Sequence, residues 1–365
     1  MMGFDGLLLL PSDAHSTAHE RSVQRLLGEK LAALLGCPFL GPSQPGVHGQ
    51  GKYYFLPSDT LVGDVTALGI EGPQDFFGGQ VEHAFQATKA INHPTLDSPR
   101  YVPQGWSRRF ARQIESITLP GFTAFDLDDA REAGRRLLRD GPVRLKPVEG
   151  CGGRGQQVLR TASELDAALA DIDPQRIREL GLVLEEDLQE PYTYSVGQIR
   201  VAGVTLSYYG IQQLTSDNSG CQVYGGSELT LVRGEYLALM TLDLPRAVRL
   251  AVQQARIFEL AVFEAYPAVR ASRRNYDVAQ GLNTVGRARC GVLEQSWRVG
   301  GASAAEIFAL EAFIEQPDLQ SLQASTHELY GDVPPPPGAI CLYQGDEDGL
   351  GLISKYVRVT EHERA

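Results

Sequence analysis

The chain has 365 residues, of which 43% are hydrophobic and 21% are charged, as in globular proteins built from two or three lobes. Its formal net charge of −12 argues against a dedicated nucleic-acid binder, because such proteins normally carry a basic face. The sequence contains no apolar run that is long enough to span a membrane, and its five scattered cysteines fit reduced thiols in a cytoplasm.

Residues 1–100 are predicted to form a small α/β lobe. An apolar first strand precedes an amphipathic helix over 16–35, and a second strand follows at 53–56. Lys89 and His93 stand near turns at the end of this lobe. Single polar residues at turns are usually solvated, so a ligand-facing role for these two is the alternative interpretation.

Residues 101–185 are predicted to form a second lobe, in which two helices precede a strand that ends at Lys146. A loop with four glycines follows this lysine: Gly150, Gly152, Gly153 and Gly155. Glycines allow backbone N–H groups to approach a bulky anion, and the lysine adds a fixed positive charge. The stretch therefore predicts a phosphate-binding loop, whereas a flexible hairpin is the alternative for the loop taken alone. Cys151 within the loop is interpreted as a small filler residue.

A buried strand over 181–188 carries the acidic pair Glu185 and Glu186 and ends at Leu188. Taken alone, acids at the end of a strand fit a solvated turn as well as a binding edge. The next lobe is predicted over 186–305, with paired strands and a long helix.

Two strands of this third lobe carry acids that are expected to lie on one face. Asp277 stands on the first strand, and the second carries Glu294, Ser296 and Arg298 on one side, because side chains alternate along a strand. Mg²⁺ needs hard oxygen ligands and uses only one or two carboxylates beside phosphate oxygens. The pattern predicts a face that binds metal and phosphate, and a half-exposed strand with alternating polar residues is the alternative.

Residues 306–365 are predicted to form C-terminal helices and strands. A helix is expected over 304–314 and a second helix near 319–329. Two closing strands are expected at 339–343 and 352–359.

The order of Lys146, the glycine loop, the acidic strand, Asp277 and Glu294 resembles the ATP-grasp superfamily over roughly residues 100–305. The last of these strands is similar to the Glu-x-Asn-x-Arg signature of that superfamily, with Ser296 in the place of the asparagine. The resemblance implies an α/β (α+β) ATP-grasp fold with an N-terminal α/β companion lobe. The whole chain also resembles an uncharacterised bacterial family of ATP-grasp-like proteins, which implies no activity.

The resemblance implies a role for each of these residues. ATP and Mg²⁺ are the implied cofactors, with the ATP phosphates held by Lys146 and the glycine loop. A basic residue on the helix before the loop often reaches the triphosphate, and either Arg109 or Arg112 fits that place. Arg298 would stabilise charge on the transferred phosphoryl group. The implied base-binding residues are Glu185, Glu186 and Leu188, and the implied metal ligands are Asp277, Glu294 and Ser296.

The implied activity is that of an ADP-forming carboxylate–amine ligase in the cytoplasm, with a homodimer as the implied assembly. Such an enzyme activates a small-molecule carboxylate as an acyl phosphate, which an amine then attacks. Neither nucleic acid nor a membrane is an expected partner. Two alternatives stay open: an ATP-dependent small-molecule kinase, and a non-catalytic binding protein. The serine at position 296 leaves the second alternative open, whereas the retained Lys146, Asp277, Glu294 and Arg298 argue against it.

Overall fold

The structure is a computed structural model, and it describes residues 3–11, 17–44, 51–149 and 155–361. These residues form helices and four β-sheets, which confirms the predicted mixed α/β class. Within the same stretches, no helix combines the length and the apolar character that crossing a membrane requires.

The N-terminal lobe is built on a three-stranded parallel sheet. Strand β1 lies between β2 and β3, and a second small sheet contains β4 and β5. A capping box between Thr17 and Glu20 begins helix α1, and Gly36, with a φ of +69°, ends it. The elements are β1 (Gly6–Leu10), α1 (Ala18–Leu35), β2 (Phe39–Pro42), β3 (Tyr53–Pro57), β4 (Leu61–Val62) and β5 (Gly79–Val81).

Short 3-10 helices connect these strands to the second lobe. The last two of them before the second lobe follow β5 directly and lead to Pro94. Thr88 caps the later of the two by accepting a hydrogen bond from the backbone N–H of Ala90. The 3-10 helices of this part of the chain are Thr66–Leu68, Pro73–Asp75, Ala84–Ala87 and Lys89–Asn92.

The second lobe is a four-stranded antiparallel sheet with helices packed on it. The strand order is β6-β9-β7-β8, and the predicted phosphate loop connects β7 to β8. Helices α3 and α4 contact each other, and their apolar residues share a buried cluster with those of the strands. The elements are α2 (Arg108–Ile114), the 3-10 helix Glu115–Ile117, β6 (Gly121–Ala124), α3 (Leu127–Leu137), β7 (Val143–Pro147), β8 (Gln157–Leu159), α4 (Ala162–Ala170), α5 (Pro174–Leu180) and β9 (Leu182–Glu186).

The rest of the chain builds an eight-stranded antiparallel sheet in the order β15-β14-β10-β11-β12-β16-β18-β17. Strand β13 pairs instead with β5 of the N-terminal lobe. The elements are β10 (Gln189–Val201), β11 (Val204–Ser216), β12 (Gln222–Arg233), α6 (Tyr236–Leu239), α7 (Arg246–Ala265), β13 (Arg270–Ala271), β14 (Arg273–Leu282), β15 (Ala288–Ser296), α8 (Ser303–Glu315), β16 (Ser321–Tyr330), β17 (Ile340–Glu347) and β18 (Gly351–Glu361).

Two long helices bury apolar side chains against this sheet. Helix α7 contacts β10, β14 and β15, and its Phe258 shares a buried cluster with Val196 and Val278 of the strands. Helix α8 contacts β16 and β18, and its Leu310 lies in a second cluster with Leu322. Each fully buried leucine or phenylalanine stabilises the fold by about 1.5–3 kcal/mol. The sheet is thereby fixed in register at the strands that carry the predicted metal ligands.

The prediction of a helix near 319–329 is wrong, because this segment is strand β16. Leu322 and Ala324 are buried on one side, and the backbone pairs with β12 on one edge and β18 on the other. This pairing with distant strands outweighs the local preference of a short apolar segment. Strands β16–β18 thus belong to the same sheet as β10, and helix α8 packs against β16 and β18.

Candidate functional site

Asp277 and Glu294 face each other on neighbouring strands. Asp277 in β14 pairs directly with Glu294 in the antiparallel strand β15, as the alternation of the two strands predicts. The Ser195 hydroxyl donates to Asp277 Oδ1 at 3.1 Å, and Gln212 Nε2 donates to that hydroxyl at 3.1 Å. Two carboxylates therefore project from one surface, and one of them is held by a chain of hydrogen bonds.

The two carboxylates differ in how readily they ionise. Burial raises the pKa of Asp277 to about 6, and the adjacent charge of Glu294 acts in the same direction. Burial also opposes ionisation of Glu294, but the positive charges of Lys89, Lys146 and Arg298, with Lys89 the largest contributor, together hold the pKa of Glu294 below its usual range. A cation placed between the carboxylates would relieve their repulsion.

Lys89, which the sequence predicted to be a solvated residue near a turn, is buried beside Glu294. Its Nζ lies 2.6 Å from Glu294 Oε2, and the side chain is 5% exposed. Gln295 Nε2 donates to the carbonyl oxygens of Gln86 at 2.9 Å and Thr88 at 2.6 Å, which fixes the 3-10 helix against β15. The sequence signal was weak: a lysine directly before the buried pair Ala90 and Ile91.

A second buried cluster joins Lys146, Glu185 and His93. Lys146 forms an ion pair with one oxygen of Glu185, and His93 Nε2 lies 3.0 Å from the other. Lys146 of β7 pairs in register with Val183 of β9, so Glu185, two residues further along β9, lies on the same face. His93 is the second site residue that the sequence left as solvated, and it is fully buried.

The charges of this cluster reach the carboxylate pair. Burial opposes ionisation of Glu185, but Lys146 and His93 outweigh it and lower the pKa of Glu185 to about 2. Lys146 also contributes to the lowered pKa of Glu294. The two clusters, with two buried ammonium groups and three carboxylates, therefore interact electrostatically.

The predicted base-binding residues already have partners in the structure. Glu185 is buried with Lys146, as described above, and Leu188 lies in a small apolar cluster. Glu186 accepts hydrogen bonds from Asn283 Nδ2 at 2.7 Å and from Arg289. Glu186 thus links the second lobe to the β14–β15 hairpin.

The end of β15 is held by Arg273, which the sequence analysis missed. The Arg273 guanidinium donates to the carbonyl oxygens of Ser296 at 2.9 Å and Arg298 at 2.7 Å, and to Ser296 Oγ at 3.3 Å. It also forms a fully buried ion pair with Glu306 of α8 at 2.8 Å. The hydroxyl of Ser296 thus lies beside a cation. Arg298 Nε lies 3.9 Å from Asp59 Oδ1 of the N-terminal lobe.

Of the remaining predicted phosphate contacts, Arg109 pairs elsewhere, and Gly155 lies near Pro147, the residue after Lys146. Arg109 is 70% exposed on α2 and pairs with Glu264 of α7. Gly155 is exposed and has a φ of +73°, which favours glycine. The predicted phosphate-binding residues Gly150, Gly152 and Gly153 lie outside the described residues, as does Cys151.

The donor set fits Mg²⁺ held partly by phosphate. Within the described ranges no three His, Cys, Asp or Glu side chains are grouped as a metal site would require. Asp277 and Glu294 nevertheless supply two paired carboxylates, and the pKa of Asp277 is raised first by burial and then by the adjacent charge of Glu294, which a cation would offset. Mg²⁺ commonly binds through one or two carboxylates, with phosphate oxygens and water completing its shell.

Comparisons with known proteins match one family model to the chain and find several solved structures similar to it, among them two ligases. The structure of phosphoribosylamine–glycine ligase from Thermotoga maritima is 15% identical, with a TM-score of 0.48, over 98% of this chain and 93% of that chain. D-alanyl-alanine synthetase A from Vibrio cholerae O1 biovar eltor is 14% identical, with a TM-score of 0.47, over 81% of this chain and 89% of that chain. No curated protein matches the chain. The model of the family described as "Protein of unknown function (DUF3182)" matches residues 7–357, and the chain therefore belongs to this family.

Proposed function

We propose that the protein is an ATP-grasp enzyme that uses Mg-ATP to join a small-molecule carboxylate to an amine, with release of ADP. The observation that carries this proposal is the pairing of Asp277 with Glu294 beside two buried lysines, Lys89 and Lys146. Carboxylates suit a hard cation, and ammonium groups suit the phosphates that this cation accompanies. The large sheet supplies the carboxylates, and the two other lobes supply the lysines.

The lysines come from different lobes and would act on the phosphates together. Lys146 lies on β7 directly before the predicted phosphate loop, and Lys89 approaches β15 from the N-terminal side. Buried ammonium groups lose little to solvent screening, so each would bind a phosphate oxygen more strongly than a surface lysine does. Positioning and charge neutralisation of this kind account for most catalysis of phosphoryl transfer.

Asp277 and Glu294 would hold Mg²⁺, and Ser296 is the third proposed ligand. The bound Mg-ATP would supply the activating phosphoryl group. Arg298 would stabilise the charge of that group. The Arg273 guanidinium donates a hydrogen bond to the carbonyl oxygen of Arg298 and so fixes the backbone at this position. Ser296 Oγ accepts a hydrogen bond from Arg273, which leaves its second lone pair for a ligand.

The other proposed nucleotide contacts require partners to change. Glu185, Glu186 and Leu188 would bind the base, with Glu186 at the boundary between the second lobe and the β14–β15 hairpin. Gly150, Gly152, Gly153 and Gly155 would cover the phosphates. Arg109 would have to leave Glu264 to reach a phosphate.

We place this enzyme in the cytoplasm. Cys37, Cys221, Cys290 and Cys341 are free thiols in the structure. Free thiols of this number suit a reducing compartment, because oxidising compartments favour disulfides.

Trapping with hydroxylamine tests the proposed reaction. The purified protein is incubated with Mg-ATP, hydroxylamine and pools of small carboxylic acids, and both ADP and hydroxamate are measured. We expect one acid to yield hydroxamate and ADP in equal amounts, with no product from Glu294→Gln. Lys30→Met is the matched control, because Lys30 of α1 pairs with Glu311 of α8 and is not a proposed site residue, so the yield should be unchanged. ADP and a stable phosphorylated product without hydroxamate would instead identify a kinase.

A further inference from the structure

Lys89 and Glu294 neutralise each other in a fixed geometry. Their charged atoms lie 2.6 Å apart, with side-chain exposures of 5% and 29%. The two hydrogen bonds from Gln295 to the carbonyl oxygens of Gln86 and Thr88 hold the 3-10 helix of Lys89 against the strand of Glu294. The packing of the backbone therefore fixes the positions of both side chains, unlike in an ion pair between two mobile surface residues.

Glu294 is the group that would bind a metal cation, and Lys89 is the group that would bind a phosphate. A carboxylate that is neutralised by an ammonium group attracts a metal cation weakly, and an ammonium group that is neutralised by a carboxylate attracts phosphate weakly. Removing one partner alone would leave an uncompensated charge in a poorly solvated site, which is costly. Arrival of a cation and an anion together avoids that cost, because each half of the pair gains a new partner.

We infer that the site takes a divalent cation and a polyphosphate as one complex, and that the Lys89–Glu294 pair discriminates against either ligand alone. On binding, Glu294 exchanges Lys89 for the metal, and Lys89 exchanges Glu294 for a phosphate oxygen. Lys89 is thereby a specificity-determining residue as well as a phosphate ligand. This inference rests on the proposed function, since it concerns the same metal and nucleotide site.

Two single substitutions test the exchange from opposite sides. In Lys89→Met the carboxylate loses its competing ammonium group, so Mn²⁺ without nucleotide should bind at least tenfold more tightly than to wild type, measured by electron paramagnetic resonance. In Glu294→Gln the ammonium group loses its carboxylate, so ATP in excess EDTA should bind at least tenfold more tightly than to wild type, measured by equilibrium dialysis. Lys30→Met removes a comparable half-buried ion pair on α1 and should match wild type in both measurements.

The outcomes separate the inference from the function on which it rests. Binding of Mg-ATP to wild type, together with an unchanged affinity for the single ligand in either folded variant, would overturn the inference and leave the proposed function standing. Failure of wild type to bind Mg-ATP would overturn the proposed function itself. Thermal melting identifies a variant that has not folded, and the other variant then decides the result.

Discussion

Glu185 uses both of its carboxylate oxygens, one with Lys146 and one with His93. The chain therefore maintains a buried carboxylate whose pKa in the folded state is about 2, well below the ordinary glutamate value of about 4. A group with a lowered pKa in the folded state contributes stability above its unfolded pKa and loses it as the pH falls. This residue links the chemistry of the site to the acid stability of the fold.

We predict that Glu185→Gln weakens the pH dependence of folding in acid. The free energy of unfolding of wild type should fall by roughly 3 kcal/mol between pH 4.5 and pH 2 through this group, and the variant should lose that part of the slope. Urea unfolding followed by circular dichroism at several pH values measures it. Glu132→Gln is the control, because the exposed pair of Glu132 with Arg136 should contribute less than about 1 kcal/mol.

Asp277 affects the pH dependence of stability in the opposite direction to Glu185, because the pKa of Asp277 in the folded state is raised to about 6. Its contribution to stability is complete below its unfolded pKa of about 4 and is lost as the pH rises through 6. Without metal, Asp277→Asn should therefore unfold at a free energy about 1–3 kcal/mol higher than wild type at pH 7, and should match it near pH 4. Urea unfolding in EDTA at both pH values provides the comparison. Equal free energies of unfolding for wild type and Asp277→Asn at pH 7 would contradict the raised pKa of Asp277.

The sequence predicted Asp277 and Glu294 as neighbours because both stand on strands with a clear alternation, and β14 and β15 are joined by a hairpin. Lys89 and His93, in contrast, were predicted to be solvated residues near turns. Nothing local distinguishes them from solvated residues, and their burial arises only when the 3-10 helix packs against β9 and β15. The partner of His93, Glu185, lies 92 positions further along the chain, and the partner of Lys89, Glu294, lies 205 positions further along.

At the scale of elements, the buried pair of Arg273 and Glu306 ties β14 and the end of β15 to α8. Tyr208 of β11 also donates to Glu306, at 2.5 Å. A buried ion pair contributes little net stability compared with apolar residues, but removing one partner leaves an unpaired buried charge. The pair therefore fixes the geometry of the strand end that carries Ser296 and Arg298.

We predict that Glu306→Ala lowers the free energy of unfolding by about 3–5 kcal/mol, because Arg273 is then buried without a counter-charge. A double variant, Arg273→Met with Glu306→Leu, should recover most of that loss, since apolar side chains fill the space without leaving a charge. Urea unfolding of the two variants and wild type gives the comparison. A double variant that is no more stable than Glu306→Ala would contradict this explanation.

Helix α1 was predicted within two residues of its observed bounds, and α8 within one. Strand β16 was predicted as a helix because its pairing partners, β12 and β18, come from distant parts of the chain. Its segment contains serine, threonine and histidine among short apolar residues, so local propensity favours neither state strongly. Tertiary pairing decided the outcome.

At the scale of the whole molecule, the site lies where the lobes meet. Lys89 comes from the N-terminal lobe, Lys146 from the second lobe, and Asp277 from the large sheet. Glu186 with Arg289, and a parallel bridge between Thr118 and Val292, connect the last two. The resemblance to the ATP-grasp superfamily implied one shared site for Lys146, Asp277 and Glu294, but the partner of each charge required the three-dimensional packing.

The proposed function requires this meeting point of the lobes to bind Mg-ATP. The most direct measurement is thermal unfolding with and without Mg-ATP, beside a double variant, Lys146→Ala with Glu294→Ala. Ligand at 100 times its dissociation constant should stabilise wild type by about 2.7 kcal/mol, only when Mg²⁺ is present, and should leave the double variant unchanged. The absence of a shift at millimolar ATP, or an equal shift in the double variant, would contradict the assignment of the site.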